Sequence, residues 1–404
     1  MSDFEDALRR SLGHAAERAP RLPGAAAGQL EIGYRRRRRR FQALLAAAAV
    51  VVVAGGAGVG LRAGGGEAVR PAVNPSGVPS VVVTLPEAAP EPIEKVWPQA
   101  VWKMPAKGAD GRELQPVGLI DDRTLLVKAW RTFDRTEAVY AYDLAGRNLR
   151  KIVDVPAPKG TVRFGTDFSL GDGQVAWWTT TKGVVHIWAA ALGGGEARLV
   201  ADQRIEGDSV SPLDGLGVAD GNVVFSLSAG GVFSVPLAGG PVTPVQAGAG
   251  LHLLSWPWAG SPGTGGPPGR PPFSKLVNLE TGQTSTAAVH QGERVYACGV
   301  RSCTGTTADG RAFTRLRDGS QQKDIPVGYL IPEPPTQSRF HVRNLKSDGP
   351  GLGLYDLTTG TFADLGIREE AATRGEVPVA DRSGRLMTYR LRNDRYVIDL
   401  AKIP

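Results

Sequence analysis

Few side chains of this 404-residue sequence have the type and spacing that metal or nucleophilic chemistry requires. No GxSxG, HExxH or Walker motif occurs, and the histidines fall in no metal-ligand spacing. The five histidines are His14, His186, His252, His290 and His341. We therefore predict that the protein has no metal site and no cofactor, and that it is not an enzyme.

The two cysteines, Cys298 and Cys303, are separated by four residues. Close thiols tend to pair in an oxidising compartment. We predict a local disulfide that staples a turn, and two unpaired thiols are the alternative.

Aspartates recur in short turn sequences, where they could form hairpin turns or bind calcium. Asp-Gly is a preferred pair for a two-residue hairpin turn. A calcium loop needs several oxygen ligands, and no loop of this chain supplies them. We therefore predict hairpin turns at Asp121-Asp122, Asp172-Gly173, Asp220-Gly221, Asp309-Gly310 and Asp348-Gly349.

Trp256 and Trp258 stand before residues 259–272, which contain five glycines and five prolines. A stretch of this composition cannot pack a core, so we expect it to project from one face of the domain. Two interpretations stay open. The tryptophans open a binding loop, or the stretch is a tolerated insertion and the tryptophans are core.

The strongest topological signal is a run of basic residues beside an apolar segment. Residues 41–61 have no ionisable side chain, and a helix of that length is about 31 Å long, enough to span a bilayer. The run before them holds the N-terminus in the cytoplasm and contacts anionic lipid. It consists of Arg35, Arg36, Arg37, Arg38, Arg39 and Arg40. We predict a single-pass protein of the cell membrane with an extracellular C-terminal domain; a cleaved signal peptide is the alternative.

The net charge of +7 belongs mostly to the cytoplasmic segment, residues 1–40. That segment has ten Lys or Arg against five acids, which leaves 37 bases and 35 acids for the rest of the chain. The large domain is nearly neutral, so we predict no nucleic-acid partner.

The cytoplasmic segment begins with an amphipathic pattern. Phe4, Leu8 and Leu12 recur every four residues, which predicts a helix over residues 3–18. Such a helix docks on a cytoplasmic partner or is marginally stable ahead of a flexible tether. Beyond the membrane span, residues 62–94 are rich in Pro and Gly and are predicted to be a linker.

From Trp97 onward, short apolar runs alternate with Gly, Asp and Asn clusters, a pattern typical of an all-β domain. A hairpin unit built around a leucine recurs every 37 to 48 residues, close to the length of a four-stranded propeller blade. The complete units are 139–153, 185–200, 231–245, 275–289, 312–327 and 352–365, and 395–400 is the first half of a seventh.

These units predict a seven-bladed β-propeller over residues 95–404, with six or eight blades as alternatives. The last unit lacks an outer strand, and residues 95–104 form an unpaired strand-like run. We expect this run to complete the last blade and to close the ring.

The segments YDLAG (142–146) and YDLTTG (355–360) are similar to hairpin segments of propeller blades. Together with the arginine-rich leader, the single span and the linker, they give a layout that resembles single-pass membrane proteins of high-GC bacteria with TolB-like or WD40-like ectodomains. The resemblance implies a propeller fold and a membrane location, and it implies no activity.

Three functions are compatible with this layout. The leading hypothesis is a membrane-anchored extracytoplasmic propeller that binds an envelope protein, peptide or glycan through one face. The second is a transmembrane signalling regulator, similar to an anti-sigma factor, whose cytoplasmic helix binds a partner. The third is a propeller hydrolase or lyase, which requires acidic side chains that converge on the central channel.

Overall fold

The computed structural model describes residues 89–132, 135–205, 211–264, 270–325, 333–345, 351–368 and 377–404. The predicted cytoplasmic helix, the arginine run, the span at 41–61 and most of the linker lie outside these residues and stay predictions. In the part of the chain that is described, no helix has the length and apolar character needed to cross a membrane.

The described residues form seven antiparallel sheets, which confirms a seven-bladed all-β propeller. Helix α1 (Ile93–Val96) and strand β1 (Val101–Pro105) precede blade 1. Blade 1 contains β2 (Glu113–Asp121), β3 (Thr124–Trp130), β4 (Ala138–Asp143) and β5 (Asn148–Asp154). Blade 2 contains β6 (Arg163–Gly171), β7 (Gln174–Thr181), β8 (Val184–Ala191) and β9 (Arg198–Arg204). Blade 3 contains β10 (Leu213–Ala219), β11 (Asn222–Leu227), β12 (Val232–Pro236) and β13 (Thr243–Pro244).

The remaining blades have shorter strands. Blade 4 contains β14 (His252–Ser255), β15 (Trp258–Ser261), β16 (Lys275–Asn278) and β17 (Thr284–Thr286). Blade 5 contains β18 (Arg294–Cys298), β19 (Ser302–Thr306), β20 (Ala312–Leu316) and β21 (Lys323–Asp324). Blade 6 contains β22 (Phe340–Asn344), β23 (Leu352–Asp356) and β24 (Phe362–Ile367). Blade 7 contains β25 (Val379–Ala380), β26 (Leu386–Leu391) and β27 (Asp394–Asp399). Two 3-10 helices, Gln246–Gly248 and Leu400–Lys402, complete the described secondary structure.

The first strand, β1, closes the ring. It pairs antiparallel with β27, from Val101 opposite Ile398 to Pro105 opposite Asp394, so blade 7 has the order β1-β27-β26-β25. The prediction that an N-terminal strand completes the last blade is therefore confirmed. The closure removes the open edge that β27 would otherwise present.

Blade 6 has three strands among the described residues, and the missing position is the innermost one. The outer edge of this blade is covered by the segment that leads into α1. Pro92 forms a bridge with Asp364 of β24, and Ile93 is completely buried in the core between blades 6 and 7.

Asp-Gly pairs form two of the tight turns, as predicted. The φ angles are +50° and +68° at Asp172-Gly173, and +52° and +73° at Asp220-Gly221. Positive φ at both central residues is what a two-residue hairpin of this hand requires, and Asp and Gly tolerate it best. No group of three or more metal-binding side chains occurs among the residues that the structure describes, and Asp348-Gly349 lies outside them.

The core lies between neighbouring blades. Trp177 and Trp178 are both buried, and because successive side chains of a strand point to opposite faces they pack on different neighbours. Trp177 contacts the cluster shared with blade 1, whereas Trp178 contacts the cluster shared with blade 3. Both tryptophans therefore belong to the core between blades.

Within each blade, the connections between successive strands lie alternately at the two ends of the ring. The turns between strands 1 and 2, and between strands 3 and 4, lie at one end, which we call the first-turn face. The turns between strands 2 and 3 and the connections between blades lie at the other, the second-turn face. The innermost strands therefore run from the second-turn face to the first-turn face along the central channel.

Candidate functional site

A cavity of about 620 Å³ occupies the first-turn end of the central channel. Its wall is formed by the innermost strands of five blades, β2, β6, β10, β14 and β25, together with the turns that follow β14 and β25. Most lining residues come from the middle and last part of these strands, and Lys128 of β3 and Leu386 and Thr388 of β26 also contribute. The site is therefore a product of ring closure, because no single blade contributes more than a fraction of it.

Apolar atoms form a little more than half of the wall. Leu119, Leu170, Val218, Leu253 and Trp256 line it and come from blades 1 to 4. Ligand pockets combine apolar contact area with polar groups that fix the orientation of the ligand, and this wall supplies both.

Arg382 reaches across the mouth of the cavity. It belongs to the turn after β25 in blade 7, and its Nη2 lies 3.3 Å from Oδ1 of Asp167 in blade 2. Its Nη1 donates to the carbonyl oxygen of Leu216 in blade 3 at 3.4 Å. Because blades 2 and 3 are not neighbours of blade 7, the side chain spans the opening rather than following its rim.

Asp167 is presented to the channel by an irregularity in β6. The pairing of β6 with β7 shifts register on both sides of Thr166, and Asp167 has a φ of +52°. Irregularities of this kind re-aim a side chain. Trp178 donates its Nε1–H to Oδ2 of Asp167 at 3.1 Å, so each carboxylate oxygen has a partner.

A second carboxyl group, that of Asp381, lines the same mouth. Its Oδ1 accepts the backbone N–H of Leu386 at 3.0 Å, and its Oδ2 accepts the hydroxyl of Ser383 at 2.7 Å. Burial raises the pKa of Asp381, and this effect exceeds the opposite effect of the hydrogen bonds. The charged form of this carboxyl is thus disfavoured at its position.

Trp256 and Trp258, the candidate residues of a binding loop, occupy different places. Trp256 lines the cavity in the turn between β14 and β15, and its Nε1–H donates to Oε1 of Glu280 at 2.9 Å. Trp258 is the first residue of β15 and pairs with Asn278. The role of this pair in binding stays a prediction.

The Gly/Pro stretch starts later than its composition predicts. Ala259 to Ser261 belong to β15, and the loop that follows joins strands 2 and 3 of blade 4 on the second-turn face. Trp256 and the loop thus lie at opposite ends of β15. Gly260 is required by close approach, because a Cβ there would lie 2.3 Å from the carbonyl oxygen of Lys275.

Cys298 and Cys303 form the predicted disulfide. They are directly opposed on β18 and β19 of blade 5, across the first turn of that blade. Neither residue lines the cavity.

Sequence reasoning missed a hydrogen-bonded chain in blade 2. Oγ1 of Thr181 lies 2.9 Å from Nε2 of His186, and Nδ1 of His186 lies 2.6 Å from Oδ1 of Asp202. The order of groups is that of a nucleophile, a base and an orienting carboxylate. The three residues lie on three strands near the second-turn face and do not line the described cavity. Their hydrogen bonds connect β7, β8 and β9 of the blade.

Two buried arginines, also missed, brace blade 5. The guanidinium of Arg315 donates to both carboxylate oxygens of Glu293, at 2.8 and 2.6 Å. Arg317 donates to backbone carbonyls that include those of Phe273 and Gly299, and thereby links blades 4 and 5. Neither pairing could be found from spacing alone, since the partners are distant in sequence.

The chain matches no protein-family model and no curated protein. Similar solved structures have low sequence identity, and several of them are β-propellers. YCF48 from Cyanidioschyzon merolae is 10% identical, with 74% of this chain and 98% of that chain covered and a TM-score of 0.42. The β-propeller domain of the Trilobed protease from Pyrococcus furiosus is 10% identical, with 71% and 93% covered and a TM-score of 0.41. The WD40 propeller of Doa1 is 9% identical, with 73% and 96% covered and a TM-score of 0.37. The class of the protein is a seven-bladed β-propeller, defined by its seven sheets.

Proposed function

We propose that the protein is a membrane-anchored binding module, whose propeller faces the cell exterior and holds a peptide segment of an envelope protein at the mouth of its central channel. The observation that carries this proposal is the cavity of about 620 Å³ at the first-turn face. A volume of this order falls within the range of about 300–1,000 Å³ for ligand sites.

The construction of the cavity supports binding. Its wall comes from the innermost strands of five blades, so its shape is fixed by the ladder hydrogen bonds of five sheets. Apolar side chains supply contact area, and the polar groups at Asp167, Asp381 and Arg382 supply orientation. A site prepared in this way loses little conformational entropy when a ligand binds.

Two features support the location. The six arginines ahead of residues 41–61 favour an orientation with the propeller outside the cell. The disulfide between Cys298 and Cys303 is of a kind that persists in oxidising compartments.

A photo-cross-linking amino acid at position 379 of the full-length chain, expressed in its own host, tests the proposal. Val379 lines the cavity and is 60% exposed, and Val289, which is 55% exposed and follows the outer strand of blade 4 on the second-turn face, is the matched control. We expect position 379 to cross-link one peptide segment of one envelope protein, mapped by mass spectrometry, and position 289 not to do so.

Filling the cavity adds a second arm to that experiment. The substitution Val218→Trp should abolish the cross-link from position 379, because Val218 lines the same cavity. The proposal is overturned when position 379 captures nothing, or when the two positions capture the same set of proteins.

A hydrolase or lyase is a second candidate, and one observation favours it. Asp167 and Asp381 both line the channel mouth, and the raised pKa of Asp381 is what a general acid needs. The measurement is turnover of a panel of p-nitrophenyl esters and glycosides and of uronate-containing polysaccharides. Activity that Asp381→Asn abolishes would support this candidate, and inactivity towards the whole panel would count against it.

A further inference from the structure

The polar groups of the channel mouth differ in how much hydrogen-bonding capacity they have left. Two acids, Asp167 and Asp381, and two bases, Lys128 and Arg382, line the cavity. Both oxygens of each carboxylate already accept a hydrogen bond or an ion pair. Lys128 lies beside the ring of Trp130, with Nζ 5.5 Å from the ring centre.

Arg382 has N–H donors that its contacts within the described residues do not use. A guanidinium has five N–H donors. Within the described part of the chain, the polar contacts of Arg382 are those to Asp167 and to the carbonyl of Leu216, at 3.3 and 3.4 Å, both at the long limit for such contacts. Its side chain is 39% exposed. A planar donor group with unused N–H groups, held across the mouth of a cavity, is suited to bind a carboxylate through two parallel hydrogen bonds.

The surroundings of Arg382 add an apolar requirement. A Cβ placed at Gly118 would lie 3.1 Å from Cδ1 of Leu170 and 3.6 Å from Oδ2 of Asp381, so the apolar wall and the turn that carries Arg382 meet at this point. Val379, three residues before Arg382, is largely exposed in the same cavity. A ligand held by Arg382 therefore lies next to apolar side chains.

We infer that the peptide bound at the channel mouth carries a carboxylate next to apolar side chains, and that Arg382 reads this carboxylate. The inference rests on the proposed binding function and specifies its ligand. The carboxylate has two sources, an acidic side chain within the peptide or a free C-terminus, and the experiment separates them.

Three short peptides are the probes. Acetyl-Ala-Leu-Asp-Leu-Ala-amide has an internal carboxylate, acetyl-Ala-Leu-Leu-Ala with a free C-terminus has a terminal one, and acetyl-Ala-Leu-Asn-Leu-Ala-amide is the neutral match for the first. Each is titrated against the full-length protein in nanodiscs, and dissociation constants are measured by ligand-observed NMR. We expect one or both carboxylate peptides to bind at least about tenfold more tightly than the neutral peptide, as a charge-assisted bidentate contact allows.

Substitutions assign the preference to Arg382. Arg382→Gln should bring the dissociation constants of the acidic and neutral peptides together, whereas Arg382→Lys should keep part of the difference and thereby show that the fold is intact. Arg392→Gln is the matched control, because Arg392 is exposed in the turn between β26 and β27 on the second-turn face. It should leave the preference unchanged.

The outcomes are distinguishable from those of the cross-linking experiment. Equal affinity of the acidic and neutral peptides, a preference that survives Arg382→Gln, or no binding by either carboxylate peptide overturns the inference. If position 379 still captures one envelope segment, the binding function stands while its ligand chemistry is wrong. If position 379 captures nothing, the binding function itself fails.

Discussion

At the scale of single residues, the partly buried Glu293 shows how one ion pair contributes to the acid stability of a blade. Burial alone would raise the pKa of Glu293, but hydrogen bonds from Arg315 and His290 outweigh it and lower the pKa to about 2. The side chain of Arg315 is 1% exposed, and Glu293 is the carboxylate that compensates its buried charge.

We predict that Glu293→Gln lowers the free energy of unfolding by about 3 kcal/mol at pH 7, because it leaves the charge of Arg315 buried without its carboxylate. The folded pKa lies below the unfolded value of 4.5. The stabilisation is therefore complete above pH 4.5 and is lost as the pH falls towards 2. Urea unfolding at pH 7 and pH 3 measures both effects. Glu196→Gln, at an exposed position, is the control; an equal loss at both pH values would contradict the prediction.

Asp381 should show the opposite dependence. Burial raises its pKa in the folded state above 3.8, so its stabilising contribution is present at low pH and is lost as the pH rises through the folded pKa. Asp381→Asn keeps an acceptor for the N–H of Leu386 and removes the titration. We expect the unfolding free energy of the variant, relative to that of the wild type, to increase as the pH rises from 3.5 to 7. Asp154→Asn, whose side chain is 73% exposed, should show no such gain.

The residues of the channel mouth were only partly predictable from the sequence. Trp256 stood out by its position beside a Gly/Pro stretch, and it does line the cavity. Arg382 and Asp167 gave no signal, because they are 215 residues apart and meet only after the ring has closed. Local sequence patterns do not predict contacts between residues that are so far apart in the chain.

At the scale of elements, turns and hairpins were the predictable part. The leucine-centred units correspond to strands 3 and 4 of the blades, and the turn Asp172-Gly173 has the positive φ angles that its sequence favours. The strand β15 was less predictable. Gly260 was assigned to a loop by composition, whereas the ladder with β16 and the close approach of Lys275 place it in a strand. Tertiary pairing determined its conformation.

The disulfide is the covalent element of blade 5, and its removal should have a limited effect. A cross-link that closes so short a loop stabilises a protein by about 2 kcal/mol through the entropy of the unfolded chain. We predict that the double substitution Cys298→Ser, Cys303→Ser lowers the unfolding free energy by about that amount. Hydrogen exchange should increase in β18 and β19 first, because both cysteines lie there. Unchanged exchange in these strands would contradict the prediction, and the reduced wild type should behave as the variant does.

At the scale of the whole molecule, the fold depends on a pairing between the two ends of the described chain. Blade 7 takes β1 from the N-terminal side and three strands from the C-terminal end. Around this closure Met104 is completely buried with Leu386 and Val397 of blade 7 and Leu114 of blade 1. The same ring brings Arg382 of the last blade to Asp167 of the second. The candidate site therefore exists only while the ring is closed.

We predict that Met104→Ala weakens the closure before it weakens the rest of the ring. The lost contacts and the cavity left behind should cost about 2–5 kcal/mol. β1 is held to the ring mainly by β27 and this cluster. Its release would leave blade 7 with three strands and would expose the edge of β27. Native-state hydrogen exchange should therefore rise first in β1 and β27, with β6 to β9 still protected.

Ile187→Ala is the matched control, since Ile187 is as completely buried but lies in the cluster between blades 2 and 3. It should destabilise the protein to a similar extent, but β1 and β27 should remain at least as protected from hydrogen exchange as the strands of blade 2. Cross-linking from position 379 should also decline in Met104→Ala at denaturant concentrations where Ile187→Ala retains it, because the wall formed by β25 and the turn with Arg382 belong to the blade that opens. Uniform loss of protection in both variants would mean that the ring unfolds as one unit and that closure is not its weakest point.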